Sequence, residues 1–337
     1  MSGADVPVDG SRTGRGRGGR GRGERAMVPP TEFASYYGRP VLKKPVWRAL
    51  DIAGYLFLGG LAGGSSVLAA GAAASGRHGL ARPLRVGAFT AISLSLAALV
   101  HDLGRPARFL NMLRVMKPTS PMSMGSWLLT GYAPLAGAAA ASTVTGRLPR
   151  VGAAAGAAAA LLGPAVASYT AVLISDTAVP TWHDGHREMP FVFCGSAATA
   201  AAGLGLLVSP AGQNAPARRA AAFGAVLELG ATELMRRRMG LSAEPLRTGR
   251  AGQLMRASQI LTCAGTAGAL VAGRRARGVA AAAGAALLAG SAALRFGVFQ
   301  AGVSSAEDAK YTVLPQRERL AARAEAGAPT CGTKPPR

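Results

Sequence analysis

The sequence predicts an all-α, polytopic integral membrane protein with eight transmembrane helices. Three observations carry the membrane assignment. Hydrophobic residues make up 49% of the 337 positions and charged residues only 16%, against roughly 25% charged in an average soluble protein. Long stretches contain no Asp, Glu, Lys or Arg, and a membrane helix needs about 20 mainly apolar residues. The charges that do occur are mostly basic, 38 Lys and Arg against 16 Asp and Glu. An ordinary cytosolic enzyme and an acidic disordered chain are both excluded.

In chain order, residues 1–45 come first and form a basic tail whose core is Arg15-Gly-Arg-Gly-Gly-Arg-Gly-Arg-Gly. No apolar stretch succeeds this tract, so it does not read as a secretory signal. Arg/Gly tracts can bind RNA electrostatically, but the reading adopted is a solvated, disordered tail with no nucleic-acid partner. The membrane domain spans 46–302. Its charge-free runs are 52–76, 86–100, 118–146, 151–175, 189–217, 257–273 and 278–294. An eighth candidate, 220–235, is interrupted by Glu228 and Glu233. Shorter runs reach full length with end residues whose charged tips snorkel. Internal Gly and Pro are commoner in membrane helices than in soluble ones. Residues 303–337 are expected to form a polar tail, lying on a partner or disordered. Cys194, Cys263 and Cys331 are far apart and lack the spacing of an iron–sulfur cluster or a disulfide framework.

With eight spans both termini lie on one side. The opposite side carries Arg77, Arg82, Arg85, Arg147, Arg150, Arg218, Arg219, Arg274, Arg275 and Arg277, and no acid. The terminal side, with its adjoining half-membrane, holds all eight acids of residues 51–302: Asp51, Asp102, Asp176, Asp184, Glu188, Glu228, Glu233 and Glu244. Such a one-sided distribution points to a polar working face. The basic N-terminal segment places that face in the cytoplasm of a cell membrane by the positive-inside rule.

Three clusters lie at helix ends on this face. Asp51 and Tyr55, four residues apart, share a face of span 1. His101, Asp102 and Arg105 close span 2, and span 3 opens with Gly125-Ser126-Trp127. Tyr169 and Asp176, seven residues apart, share a face of span 4. Each has a plainer reading too. Asp51 can complement a helix dipole, His101, Asp102 and Arg105 can make a structural ion pair, and Tyr169 can be packing. Trp127 and Trp182 fit an interfacial aromatic belt, and Glu233 can pair with Arg236 or Arg237. Glu228 is deeper and has no such basic neighbour, which marks it as a candidate on a proton path. Together the clusters offer aromatic walls and proton-capable groups, as a quinone requires. Its ring wants an apolar slot with a few placed polar groups, and its oxygens exchange protons with each electron pair. No His lies inside a span, so intrinsic haem is not expected and no metal site is assigned. The electrons must then be exchanged with a partner docked on this face.

His101-Asp102-Leu103-Gly104-Arg105-Pro106-x-Arg108-Phe109, followed by Pro118-Thr119-Ser120-Pro121-Met122-Ser123-x-Gly125-Ser126-Trp127, resembles the NrfD/PsrC family. These are membrane subunits of polysulfide-reductase-like and nitrite- or formate-linked molybdoenzyme complexes. Tyr169-Thr170-x-Val172-Leu173, Thr177-x-x-Pro180-x-Trp182 and Pro190-Phe191-x-Phe193 extend the resemblance, which covers about residues 36–302. It implies eight spans in two four-helix bundles and no cofactor bound by the chain itself. It also implies electron exchange between membrane quinone (menaquinone or ubiquinone) and a ferredoxin-like subunit with four-iron clusters, which serves a molybdopterin catalytic subunit. The chain would be quinone-reactive but not catalytic alone for the final substrate. The quinone pocket would lie in the first bundle, implicating Asp51, His101 and Asp102 as catalytic groups, with Arg105 and Tyr169 at the quinone. Tyr55, Trp127 and Asp176 join them from the clusters above. Many relatives dock the partner on the outer face, opposite to the side the charges favour. The competing expectation is a proton- or ion-translocating module without quinone chemistry.

Overall fold

The computed structural model describes residues 41–43, 45, 47–103, 111–271 and 276–327. Most of the expected tail 1–45 lies outside these residues, as does Arg105. The described residues are helical, without strands. Eight long helices succeed one another: α1 (Ala49–Ala74), α2 (His78–Asp102), α3 (Pro121–Thr145), α4 (Pro149–Ser175), α5 (Met189–Val208), α6 (Ala215–Arg238), α7 (Gly249–Val271) and α8 (Arg277–Glu307). A ninth helix, α9, covers Lys310–Gly327. A short helix at Pro180–Asp184 and 3₁₀ turns at Ala211–Gln213 and Gly240–Leu246 lie in the connections.

Local sequence sets the helix ends. Proline at the first or second position starts α3, α4, α5 and α6, where the missing N–H costs nothing and the fixed φ suits a helix. Ser120 caps α3 by accepting from the Ser123 amide. Gly146 ends α3 with φ of 70°, a left-handed conformation that a side chain would oppose.

Five helices, α1, α2, α4, α5 and α8, are long and apolar enough to cross a membrane. The remaining three, α3, α6 and α7, have 25, 24 and 23 residues but are less apolar. Several expected boundaries move. The run 189–217 is not one span: the chain leaves the helix at Ser209 and restarts at Ala215, around Pro210 and Pro216. The helix expected over 278–294 continues through Arg295 to Glu307, past the expected boundary at 302, with Val303, Ser305 and Ala306 buried. The charge of Arg295 had marked the end of a run that the helix ignores. Beyond Glu307 the helix α9 occupies much of the segment expected as a polar tail.

Packing is set by small residues. α1 packs on α2 and α4, and α3 on α4 and α2. Likewise α5 packs on α6 and α8, and α7 on α8 and α6, while α5 also meets α1 and α4. The α1–α4 crossing is a glycine contact: a Cβ at Gly63 would sit 2.4 Å from the Gly163 carbonyl oxygen. At the α5–α6 crossing, a Cβ at Gly195 would sit 2.5 Å from the Glu228 backbone nitrogen. Small residues let membrane helices approach this closely, so dispersion replaces the absent hydrophobic drive.

Candidate functional site

The start of α1, the end of α2, the start of α3 and the end of α4 meet around one cavity of about 390 Å³. Its wall includes Tyr55, Asp102, Tyr169 and Asp176, with Met112 and Ser126 opposite. The loop before α3 is held by hydroxyls of the motif itself. Ser123 accepts from the Lys117 amide and donates to the Val115 carbonyl, each at 3.0 Å. The Ser126 hydroxyl donates to the Met122 carbonyl at 2.9 Å. On the other wall Ser95 donates to the Tyr55 carbonyl at 3.1 Å, tying α2 to α1.

Gly125 makes room for Tyr169: a Cβ there would lie 2.4 Å from the ring carbon Cε2. The buried Tyr169 hydroxyl has no hydrogen-bond partner among the described residues. A buried hydroxyl without a partner is costly, so it is available to a bound ligand. Tyr55 is almost wholly buried. The cavity therefore combines an apolar slot with two phenols and two carboxylates, the composition of a small-molecule site with a few converging polar groups.

Asp51 and His101 do not line this cavity, although their neighbours Ile52 and Asp102 do. They pair with each other, His101 Nδ1 to Asp51 Oδ2 at 3.0 Å, with Asp51 14% and His101 63% exposed. An exposed imidazole on a shielded carboxylate can exchange protons between solvent and the cavity mouth. Trp127, 38% exposed, is not among the lining residues. Trp182 departs from the belt expectation. It is fully buried, donates from Nε1 to the Val298 carbonyl at 2.8 Å, stacks on Trp47 and meets the Phe299 ring at a tilt. The short helix Pro180–Asp184 holds it inside the protein rather than at a lipid boundary.

Glu228 lies elsewhere, in the C-terminal half, and is buried. Thr199 of α5 donates to its Oε2 at 3.2 Å and Thr262 of α7 to its Oε1 at 3.1 Å. Close by, the Ser196 and Ser291 hydroxyls are bonded at 2.8 Å. Arg295 of α8 completes this cluster and was missed in the sequence. It is fully buried, donates from Nη2 to the Phe193 carbonyl at 2.8 Å, and lies 3.6 Å above the Phe193 ring. Its Nε and Nη1 have no partner among the described residues. The apolar stretch resuming immediately after Arg295, Phe296-Gly-Val-Phe, was the available signal.

The connections at the same end as the cavity are braced by ion pairs. Arg238 holds Glu188 through two bonds of 2.6 and 2.7 Å, and Lys310 reaches Glu244 at 2.8 Å. The Arg238 hydrogen bonds hold the Glu188 carboxyl below the usual carboxylate range, and the bond to Glu244 raises Lys310. Glu233 pairs with Arg237 at 2.7 Å, one turn on.

The sequence pattern of the family described as polysulphide reductase, NrfD matches residues 40–231. No curated protein matches the chain. The match covers more than half of the chain, which belongs to this family.

Proposed function

We propose that this multi-pass membrane protein is the quinone-reactive subunit of a polysulfide-reductase-like oxidoreductase complex. The observation that carries the reading is the convergence of Tyr55, Asp102, Tyr169 and Asp176, from three helices, on one cavity. A quinone ring would occupy the slot against Tyr169 and Gly125, with its oxygens in reach of the Tyr169 hydroxyl and the Asp102 and Asp176 carboxyls. The Asp51–His101 pair would pass protons between the aqueous face and this site. Arg105, three residues after Asp102 in sequence, is assigned as its electrostatic anchor. Electrons would pass to or from a ferredoxin-like partner carrying four-iron clusters, joined in turn to a molybdopterin subunit. The chain itself is assigned no resident cofactor.

In the same reading all eight long helices cross the cell membrane, the first four and the last four forming separate bundles. The packing order α1–α2–α3–α4 and α5–α6–α7–α8, each closing on itself, supports this. The basic segment before α1 favours cytoplasmic termini.

A second reading, proton translocation without quinone chemistry, draws on the Glu228 cluster. Ionisable groups within membrane helices are rare and mark proton or ion paths by default. In the first reading the same cluster is a proton path beside a redox site.

The deciding experiment is quinone-linked turnover of the whole complex in native membranes, set beside turnover with an artificial electron carrier. Tyr169→Phe, Asp102→Asn and His101→Ala should each lower the quinone-linked rate by about 10²-fold, the lower scale for losing a proton-transfer group. The carrier-linked rate should be unchanged. Normal quinone turnover in all three variants would sink the first reading, and loss of proton movement alone in Glu228→Gln would then favour the second.

A further inference from the structure

A second depression, of about 410 Å³, lies where the two halves of the chain meet. Its walls come from α1 (Val67, Gly71), α4 (Pro164), α5 (Ala198) and α6 (Phe223, Leu227), and they are almost entirely apolar. It is separate from the cavity above. At the groove's edge α1 and α4 touch through Gly63 and Gly163. Along α1 and α6 the groove occupies the half of the helices remote from Tyr55 and Asp102, towards the ends at Ala74 and Ala215. Its mouth is open to the surroundings, since Phe223 is 65% exposed and Val67 is also exposed.

Charge defines what this groove would hold. The exposed Arg219 precedes Phe223 by four residues, so the guanidinium stands one turn beyond the groove on the same face of α6. Beside it, Arg218 has a buried Nε without a partner among the described residues. The described ends of helices on this side carry Arg77, Arg82, Arg85, Arg147 and Arg150 as well, and no acid. An apolar slot running from the membrane interior to a cationic edge matches a lipid with an acyl chain and an anionic head. Arginine is suited to phosphate by its planar fork of donors. A neutral quinone tail would use the slot without any need of Arg219, and a soluble partner could not reach it.

We infer that this groove is a binding site for one anionic phospholipid, with an acyl chain between α1 and α6 and the phosphate on Arg219. The site would join the two halves of the molecule with a lipid on the side opposite to the quinone cavity.

The test takes the full chain in mild detergent, offers phosphatidylglycerol and phosphatidylcholine in equal amounts, and counts retained lipids by native mass spectrometry. One phosphatidylglycerol should survive in preference to phosphatidylcholine. Arg219→Gln should reduce that preference by about fivefold, the scale of one basic side chain at an anionic lipid surface. Gly71→Leu should remove retained lipid of either kind, because a Cβ at Gly71 meets nothing within 4 Å and the longer side chain is free to fill the groove. Ala198→Phe fills it from α5 and serves if the first variant fails to fold. Trp127→Phe, which lines neither cavity, should leave the retained lipids unchanged. Equal retention of the two lipids by the unmodified chain would overturn the inference. So would undiminished phosphatidylglycerol in both groove-filled variants, or a co-purified quinone that those variants displace.

Discussion

At the scale of single residues, the sharpest expectation concerns Gly125 and Tyr169. The tyrosine ring lies where any Cβ at 125 would be, so Gly125→Leu should push it across the cavity. A short-tailed naphthoquinone should then bind at least about tenfold more weakly, while the complex still assembles, because the slot rather than the fold is filled. Fluorescence quenching or isothermal titration would measure this. Asp176→Asn should lower quinone-linked turnover and leave quinone affinity nearly intact if its role is proton exchange. Tyr55, Asp102, Tyr169 and Asp176, which line the cavity, stood out in the sequence because they belong to polar clusters near helix ends, where a charge interrupts an apolar run; Asp51, His101 and Trp127 stood out equally and do not line it. Spacing alone put Tyr55 and Asp51 on one face, but only the folded chain shows that Tyr55 turns into the cavity while Asp51 turns to His101. Trp127 and Trp182 read alike in sequence. Burial separates them, since it depends on which neighbours the short helix at Pro180 brings up. Arg295 was passed over for the opposite reason: a lone charge within apolar sequence looks like the end of a span, although the apolar run resumes at Phe296.

At the scale of elements, the glycine crossings and the ion pairs make different predictions. Gly63→Val places side-chain atoms against the Gly163 backbone, which cannot swing aside. Overpacking of this kind costs about 1–3 kcal/mol, and should appear as a lower melting temperature in detergent. Glu188 makes the pH-dependent contribution. Arg238 depresses its folded-state pKa, so the stabilisation is fully present above the unfolded carboxylate value, about 4.3. It is lost as pH falls through the lower folded value. Glu188→Gln should therefore lower the melting temperature at neutral pH and flatten its fall in acid. Helix existence was clear from run length, and boundaries were not. A charge-free run cannot reveal a turn built by Pro210 and Pro216, nor a helix that continues through a buried arginine.

For the molecule as a whole, the crossing number decides the topology. Five helices meet the length and apolarity of a span, and the reading of eight adds α3, α6 and α7. Reporters fused at Gly10 and Pro335 should then give matching signals, cytoplasmic if the basic N-terminal segment sets the orientation. Opposite signals would require an odd number of crossings and would divide the polar face into two. The all-helical membrane class was readable from composition. The individual helix contacts were not, since they rest on small-residue approaches such as Gly203 against Gly284 that leave no periodic mark.

The stack of Trp47 on Trp182, with ring centroids 6.0 Å apart and planes 21° from parallel, has an optical consequence. The chain has three tryptophans, so this pair holds two of its three indoles. Two indoles at this distance share their excitation and should give a paired circular-dichroism band of opposite signs. Trp182 is fastened to α8 through Val298, while Trp47 lies just ahead of α1. The band would thus act as a built-in gauge of how the lead-in to α1 is seated on the C-terminal half, lost in Trp47→Phe and readable during partner assembly without any added dye.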